Sequence, residues 1–311
     1  MSIPTRPLGN TGIQVPVLGF GAATLGGAYG PVAMGEAGRA VQAAIGLGMG
    51  FFDTSPYYGG TESERVLGRC LAGIARDRYV LASKVGRYGE RTFDFTAERV
   101  VASVDESLAR LGTDHLDLLQ CHDIEFWPLQ RIIDETLPAL QRLKRAGKVR
   151  AIGITGYPLK IFRTVLASVP LDVVLSYCHY TLLDDGLAAE ARWLGRQGVG
   201  VLNASPLAMG LLSSKGPPPW HPADEAMRAA CRRAAAHCAA RGTDLGRVAL
   251  QFALTLPGVA STFVGIGGES ELTANLAAVG MPPDGELLAE LRTILAPVHN
   301  QRWTSGLTEN N

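Results

Sequence analysis

The stretch GMGFFDTSPYYGGTESERVLGRCL, residues 48–71, decides how this chain is read. Its first six residues form a short apolar run with the length of a buried strand. A glycine-rich polar turn follows, and apolar residues then recur at helical spacing over 62–72. That is one βα unit. Seven further strand candidates follow the same pattern: VPVLGF (15–20), YVLASK (79–84), HLDLLQ (115–120), VRAIGI (149–154), DVVLSY (172–177), GVGVLN (198–203) and STFVGI (261–266). Helical periods over 36–47, 62–72, 96–110, 128–146, 158–168, 184–197, 222–241 and 269–279 follow them, with Thr61, Thr96 and Ser270 near expected N-caps. Eight units in 311 residues fit the α/β class and a (β/α)8 TIM barrel occupying 1–311 as one domain. A doubly wound sheet would need a glycine-rich turn opening a helix, and GFGAATLGGAYG (19–30) does not match that motif. Outside the units lie RPLGNTGIQVP (6–16), which reads as an N-terminal β-hairpin closing the lower mouth, an extra C-terminal helix at 285–296, and a tail ending VHNQRWTSGLTENN.

Titratable residues stand just past three of these strands: Asp53 and Tyr58, then Lys84, then His122. Any one of them alone reads as a surface group or a satisfied polar residue. Four across three successive strand ends converge at one barrel mouth, because the loops after the strands carry the active site in this architecture. The chemistry of such a cluster is specific. A lysine beside a tyrosine favours the phenolate and makes it usable as a proton acceptor or donor, an aspartate holds the lysine, and an imidazole hydrogen-bonds the substrate oxygen.

Composition narrows the partners. Hydrophobic residues make up 47% and charged residues 19%, enough for a large core, and no run approaches a membrane span. Lys and Arg number 29 against 29 Asp and Glu, so there is no net positive field for nucleic acid or an anionic membrane. A small molecule is the expected ligand, and a monomer or weak homodimer the expected state. Five widely spaced cysteines, with no CxxC pair or His/Cys cluster, point to reduced thiols and to no metal. The N-terminus lacks a signal peptide, so the expected address is cytoplasmic.

The order Asp53, Tyr58, Lys84, His122, together with LGNTGIQVPVLGFGA (8–22) and ASPLAMGLL (204–212), resembles the aldo-keto reductase superfamily along the whole chain. The resemblance implies a barrel that binds an extended nicotinamide dinucleotide without a Rossmann motif. It implies that Tyr58 exchanges the proton, Lys84 tunes it, Asp53 pairs with Lys84 and His122 orients the substrate oxygen. On the same ground Gly21, Ala22, Ser205, Leu207, Gly210, Gly267, Glu271 and Asn275 are expected around the cofactor. NADP-preferring relatives carry Lys or Arg in the eighth unit; this chain has none over 263–276 and has Glu269 and Glu271 instead, so NAD is expected over NADP unless another loop supplies a base. Where many members have Ser-Asn and Gln for the carboxamide, this chain offers Thr155, Ser176 and Tyr177.

Several phrases, among them FFDTSPYYGGTESERVLG (51–68), CHDIEF (121–126), LSYCHYTLLD (175–184) and GPPPWHPA (216–223), are similar to one branch, the L-galactose dehydrogenases and related aldose 1-dehydrogenases. That likeness implies oxidation of a free sugar such as L-galactose or L-fucose at C1 to a lactone. Tyr57, Asp123, Trp127, His179, Trp220 and Trp303 are then candidates for holding a sugar substrate. An NADPH-dependent aldehyde reductase shares the four residues and stays open as an alternative, as does a binding subunit that senses the cofactor.

Overall fold

A strand turns successive side chains to opposite faces, and here both faces are apolar because both are covered. In the computed structural model, which describes residues 3–311, β1 (Thr5–Pro7) and β2 (Gln14–Pro16) form an antiparallel pair. The barrel strands are β3 (Leu18–Gly21), β4 (Phe51–Asp53), β5 (Val80–Val85), β6 (Leu116–Cys121), β7 (Val149–Gly156), β8 (Val173–Tyr177), β9 (Gly200–Ala204) and β10 (Val259–Gly265). These eight are parallel and close when β10 pairs with β3, Val264 opposite Phe20. Phe51, Ala82, Leu118, Ala151, Val173 and Leu202 fill the interior. Their neighbours Phe52, Leu81, Leu119, Ile152, Val174 and Val201 join the layer under the helices.

The run 15–20 contains a break that its composition hides. Val15 pairs with Arg6 in the hairpin, and the barrel strand begins at Leu18. Leu8, Ile13 and Val15 then plug the interior from below, each a burial worth roughly 1.5–3 kcal/mol.

One helix was out of reach of the sequence pattern and changes the seventh unit. The helix expected over 222–241 is present as Glu225–Ala240, and a second, Leu245–Ala253, leads into β10. Glu225–Ala240 and the C-terminal Gly285–Leu295 helix share a separate apolar cluster, through Cys231 and Ala234 on one and Leu287 and Leu291 on the other. The crossover that reaches the main core is made by the second helix, through Leu250. The expected caps also shift. Thr61, Thr96 and Ser270 cap nothing with their side chains, whereas Asp224, Asp244 and Asp284 accept the N–H of Met227, Arg247 and Leu287.

The hairpin is locked to the barrel floor by a backbone approach that admits no side chain. Gly9 has φ +54°, and a Cβ there would lie 2.3 Å from Gly200 N and 2.6 Å from Gly198 O. Gly12 has φ +76° with open space around it. Gly9→Ala is therefore expected to cost at least about 2 kcal/mol, against about 1 kcal/mol for Gly12→Ala, as shifts in the urea midpoint. Equal shifts would mean that the contact with β9 does not hold the hairpin.

Candidate active site

Inward-facing positions continue upward from the apolar floor in steps of two. Phe51 is followed by Asp53, Ala82 by Lys84, and Leu118 by Gln120 and His122. Lys84 Nζ donates to Asp53 Oδ1 at 2.5 Å, to the Thr54 carbonyl at 2.9 Å and to Tyr58 Oη at 3.2 Å. Gln120 Nε2 donates to the other Asp53 oxygen at 3.3 Å. The Tyr58 and His122 rings meet edge-on, centroids 5.4 Å apart at 89°. All four strand-end residues thus share one mouth.

Burial decides their protonation. Lys84 is 1% exposed. Burial alone would lower its pKa, but the Asp53 carboxylate and the Tyr58 oxygen outweigh it, and the shift is upward. Lys84 therefore stays an ammonium. Tyr58 departs from the sequence expectation: burial pushes its hydroxyl up to about 12, and the pull of Lys84 only limits the rise. His122 goes the other way, lowered by burial to about 3, so its imidazole is neutral.

Ser55, which the sequence reading passed over, determines which nitrogen of that neutral ring carries the proton. Its buried hydroxyl accepts from Tyr57 N–H at 3.1 Å and lies 2.9 Å from His122 Nδ1. Among the described residues Nδ1 is the one acceptor for the Ser55 proton, so Nδ1 accepts and Nε2 keeps its hydrogen. His122 then offers the cavity a neutral Nε2–H donor.

A second polar group sits beside the first. Arg87, two residues past β5 and also unread in the sequence, donates through Nη1 to Asp123 Oδ2. Thr155 donates to the other Asp123 oxygen at 3.0 Å and accepts the Asp123 N–H at 2.9 Å. Tyr57, Asp123, Thr155, Tyr177, Trp220 and Trp303 line the same cavity, of 880 Å³, as Tyr58, Lys84 and His122. Trp127 and His179 do not. Trp127 packs on Phe95 with ring centroids 5.9 Å apart. His179 is 1% exposed and donates through Nε2 to the Tyr157 carbonyl at 2.6 Å, so both have structural placements.

The C-terminal tail forms part of the wall. Trp303 to Gly306 line the cavity, and the tail is tied down at Glu125. The Glu125 carbonyl accepts from Leu307 N at 2.8 Å and Asn310 Nδ2 at 2.9 Å, and its carboxyl accepts from Ser305 Oγ at 3.0 Å. Burial raises that carboxyl to about 8.

A second cavity of 770 Å³ opens from the same Asp53 and Tyr58 and runs past Gly21, Ser205, Leu207 and Gly210 to Glu271. Its floor is cut to the backbone: at Gly21 a Cβ would lie 3.0 Å from the Val264 carbonyl, and at Gly210 3.1 Å from that of Gly216. Ser205, Ala208, Met209 and Gly210 all have positive φ, so the chain turns sharply there, and the N–H groups of Ala208 and Gly210 close the turn on the Ser205 and Leu207 carbonyls. A groove of this volume with a glycine floor fits a dinucleotide. At the far end Glu271 accepts from Gly267 N–H at 2.8 Å and lies 3.9 Å from Lys215 Nζ, a base that does arrive from another loop.

Of the expected cofactor positions, Ala22 and Ser176 face elsewhere, and Gly267 and Asn275 adjoin Glu271 at the end of the groove. Ala22 is in the core beneath the helices and its carbonyl accepts from Ser63 at 2.7 Å. Ser176 alternates with Leu175 and Tyr177 and turns outward with Val174, its hydroxyl without a partner among the described residues. Gly267 donates its N–H to Glu271, and Asn275 is half-buried one helical turn beyond Glu271 on the same face; neither lines the groove itself. Ala23 and Thr24 line the groove where Ala22 does not.

The chain is similar to known proteins over nearly its whole length. The profile described as the Aldo/keto reductase family matches residues 17–296. The chain is 50% identical to L-galactose dehydrogenase of Arabidopsis thaliana, over 99% of both chains. It is 33% identical to D-arabinose 1-dehydrogenase of Saccharomyces cerevisiae, over 86% of both. Among solved structures, an aldo-keto reductase from Bacillus halodurans (holo form) superposes with a TM-score of 0.79 at 26% identity, covering 99% of both chains.

Ser55→Ala removes the hydrogen bond that fixes the His122 tautomer and leaves the groove from Gly21 to Glu271, which Ser55 does not line, intact. Turnover is expected to fall about 10- to 100-fold with cofactor affinity, read by fluorescence quenching, unchanged. Full activity in the alanine variant would show that Ser55 does not set the imidazole.

Proposed function

We propose that this chain, which belongs to the aldo/keto reductase family, oxidises a free aldose at C1 to its lactone with NAD⁺, L-galactose being the preferred sugar. The observation that carries the reaction class is the Tyr58 hydroxyl 3.2 Å from a buried ammonium, with a neutral imidazole edge-on to its ring. The sugar rests on the 50% identity to a protein named for that activity.

In this reading His122 donates from Nε2 to the C1 oxygen and fixes the sugar by it, while Tyr58 accepts the hydroxyl proton. Lys84, kept charged by Asp53, stabilises the phenolate form of Tyr58 through the 3.2 Å contact. A bound nicotinamide dinucleotide supplies the hydride acceptor. Gly21, the turn at Ser205–Gly210 and Glu271 would hold it along the groove. Glu271 supports NAD over NADP, since a carboxylate accepts from a ribose hydroxyl and repels a phosphate. The five buried, unpaired cysteines support a reducing, cytoplasmic address.

One observation favours a second reading, NADPH-driven aldehyde reduction: Lys215 lines the end of the groove beside Glu271.

Mixing the protein with L-galactose, L-fucose or D-arabinose and either cofactor separates the two, because reduced cofactor absorbs near-ultraviolet light. NAD⁺-linked sugar oxidation is expected, rising with pH from about 7 to about 10, since the base form of a tyrosine held at about 12 grows tenfold per unit. No inflection is expected at the ordinary imidazole value of 6.5, because His122 sits at about 3. No sugar oxidation, with NADPH-driven reduction of simple aldehydes instead, would sink the reading.

Glu271→Gln should remove the repulsion and release Lys215 toward a phosphate. The preference for NAD⁺ over NADP⁺ in kcat/KM is expected to fall by about tenfold or more. An unchanged ratio would place cofactor choice elsewhere.

A further inference from the structure

Arg87 and Asp123 are 14% and 7% exposed by side chain, and they face each other in the wall of the substrate cavity. Nothing in the barrel requires charges there. A buried ion pair is often matched or exceeded in stability by apolar residues of the same volume.

The guanidinium is held rigidly. Its Cζ lies 4.0 Å from the Tyr57 ring centroid, 5.2 Å from Phe126 and 5.4 Å from Phe93. Nη1 donates to Asp123, and Nη2 to Tyr57 Oη at 3.2 Å. Two of the five N–H groups of an arginine are thereby used. Nε is buried and has no acceptor among the described residues. With Nε enclosed, the donors left for a ligand are the remaining hydrogens of Nη1 and Nη2.

Position says which oxygen. Asp123 Oδ2 is 3.7 Å from His122 Nε2, the nitrogen that meets the C1 oxygen in the reaction above. Ligand atoms that reach both Arg87 and Asp123 therefore belong to carbons next to C1. Each hydroxyl can accept from one group and donate to another, so a vicinal pair matches a fixed donor beside a carboxylate with unused lone pairs. An alkyl aldehyde would leave both unpaired.

We propose that Arg87, set by Asp123, reads the sugar hydroxyl adjacent to the reacting carbon and is the residue that tunes this site to polyhydroxylated aldehydes. The inference rests on the sugar-oxidation reading and names a specificity residue for it.

The test is a cycle between protein and substrate: wild type and Arg87→Met, each with L-galactose and 2-deoxy-L-galactose and NAD⁺. Wild type is expected to turn over the deoxy sugar about a hundredfold less efficiently in kcat/KM. The methionine variant fills the aromatic cage without donors. It is expected to lose about a hundredfold on L-galactose, mostly through KM, and to separate the two sugars by less than about threefold. Arg87→Lys keeps a charge against Asp123 without the planar fork; it should recover only part of the discrimination, and it carries the same comparison if the methionine variant does not fold. A variant that separates the sugars as strongly as wild type, or that loses kcat equally on both, overturns the role of Arg87. A wild type that oxidises no aldose overturns the functional reading instead.

Discussion

A lysine ammonium buried at the top of a closed barrel is the constraint on which the site depends. Lys84 cannot remain charged there without the Asp53 carboxylate at 2.5 Å, and the two come from neighbouring strands whose register puts Asp53 opposite Ala82. The lysine leans one step of the pleat above Ala82, and its third donor then falls on Tyr58. The hairpin plug, the apolar floor and the ladder that closes β10 on β3 all serve to hold that register.

The same burial acts in opposite directions on the two groups that would handle the proton. It discourages charge on both, raising the tyrosine and lowering the histidine, so each is neutral before substrate binds. A neutral imidazole with a fixed Nε2–H is a positioning donor, not a proton source. Tyr58 stands beside the only ammonium that hydrogen-bonds to it among the described residues, so in the proposed reaction the proton falls to Tyr58. Ser55 is small and unremarkable in sequence, yet the division of labour passes through its hydroxyl.

Around this core the charges are arranged in pairs: Lys84 with Asp53, Arg87 with Asp123, Lys215 near Glu271. The first two pairs line the cavity that holds Tyr58 and His122, and walls so balanced suit a neutral, hydroxyl-rich ligand there. Its outer wall comes from residues that are remote in sequence, with Trp303 to Gly306 fastened to Glu125 by Leu307 and Asn310.

Periodicity alone determined most of the frame. Short apolar runs alternating with helical periods identified the eight strands and placed Asp53, Tyr58, Lys84 and His122 just past three of them, because chain polarity follows from local geometry. What local pattern could not hold is anything decided by contact. The break at Val17 and the helix Leu245–Ala253 depend on which apolar residues find the hairpin or the barrel. Ser176 and Thr155 read alike in sequence, and a one-residue difference in strand phase sends the first outward and the second into the mouth. Tyr58 lies beside Lys84 as its spacing suggests, but whether charge or burial controls its pKa depends on water, and only the packed barrel excludes it. Arg87 ends an unremarkable VGR (85–87), and the cage that gives it a role is assembled from Tyr57, Phe93 and Phe126 on three separate loops.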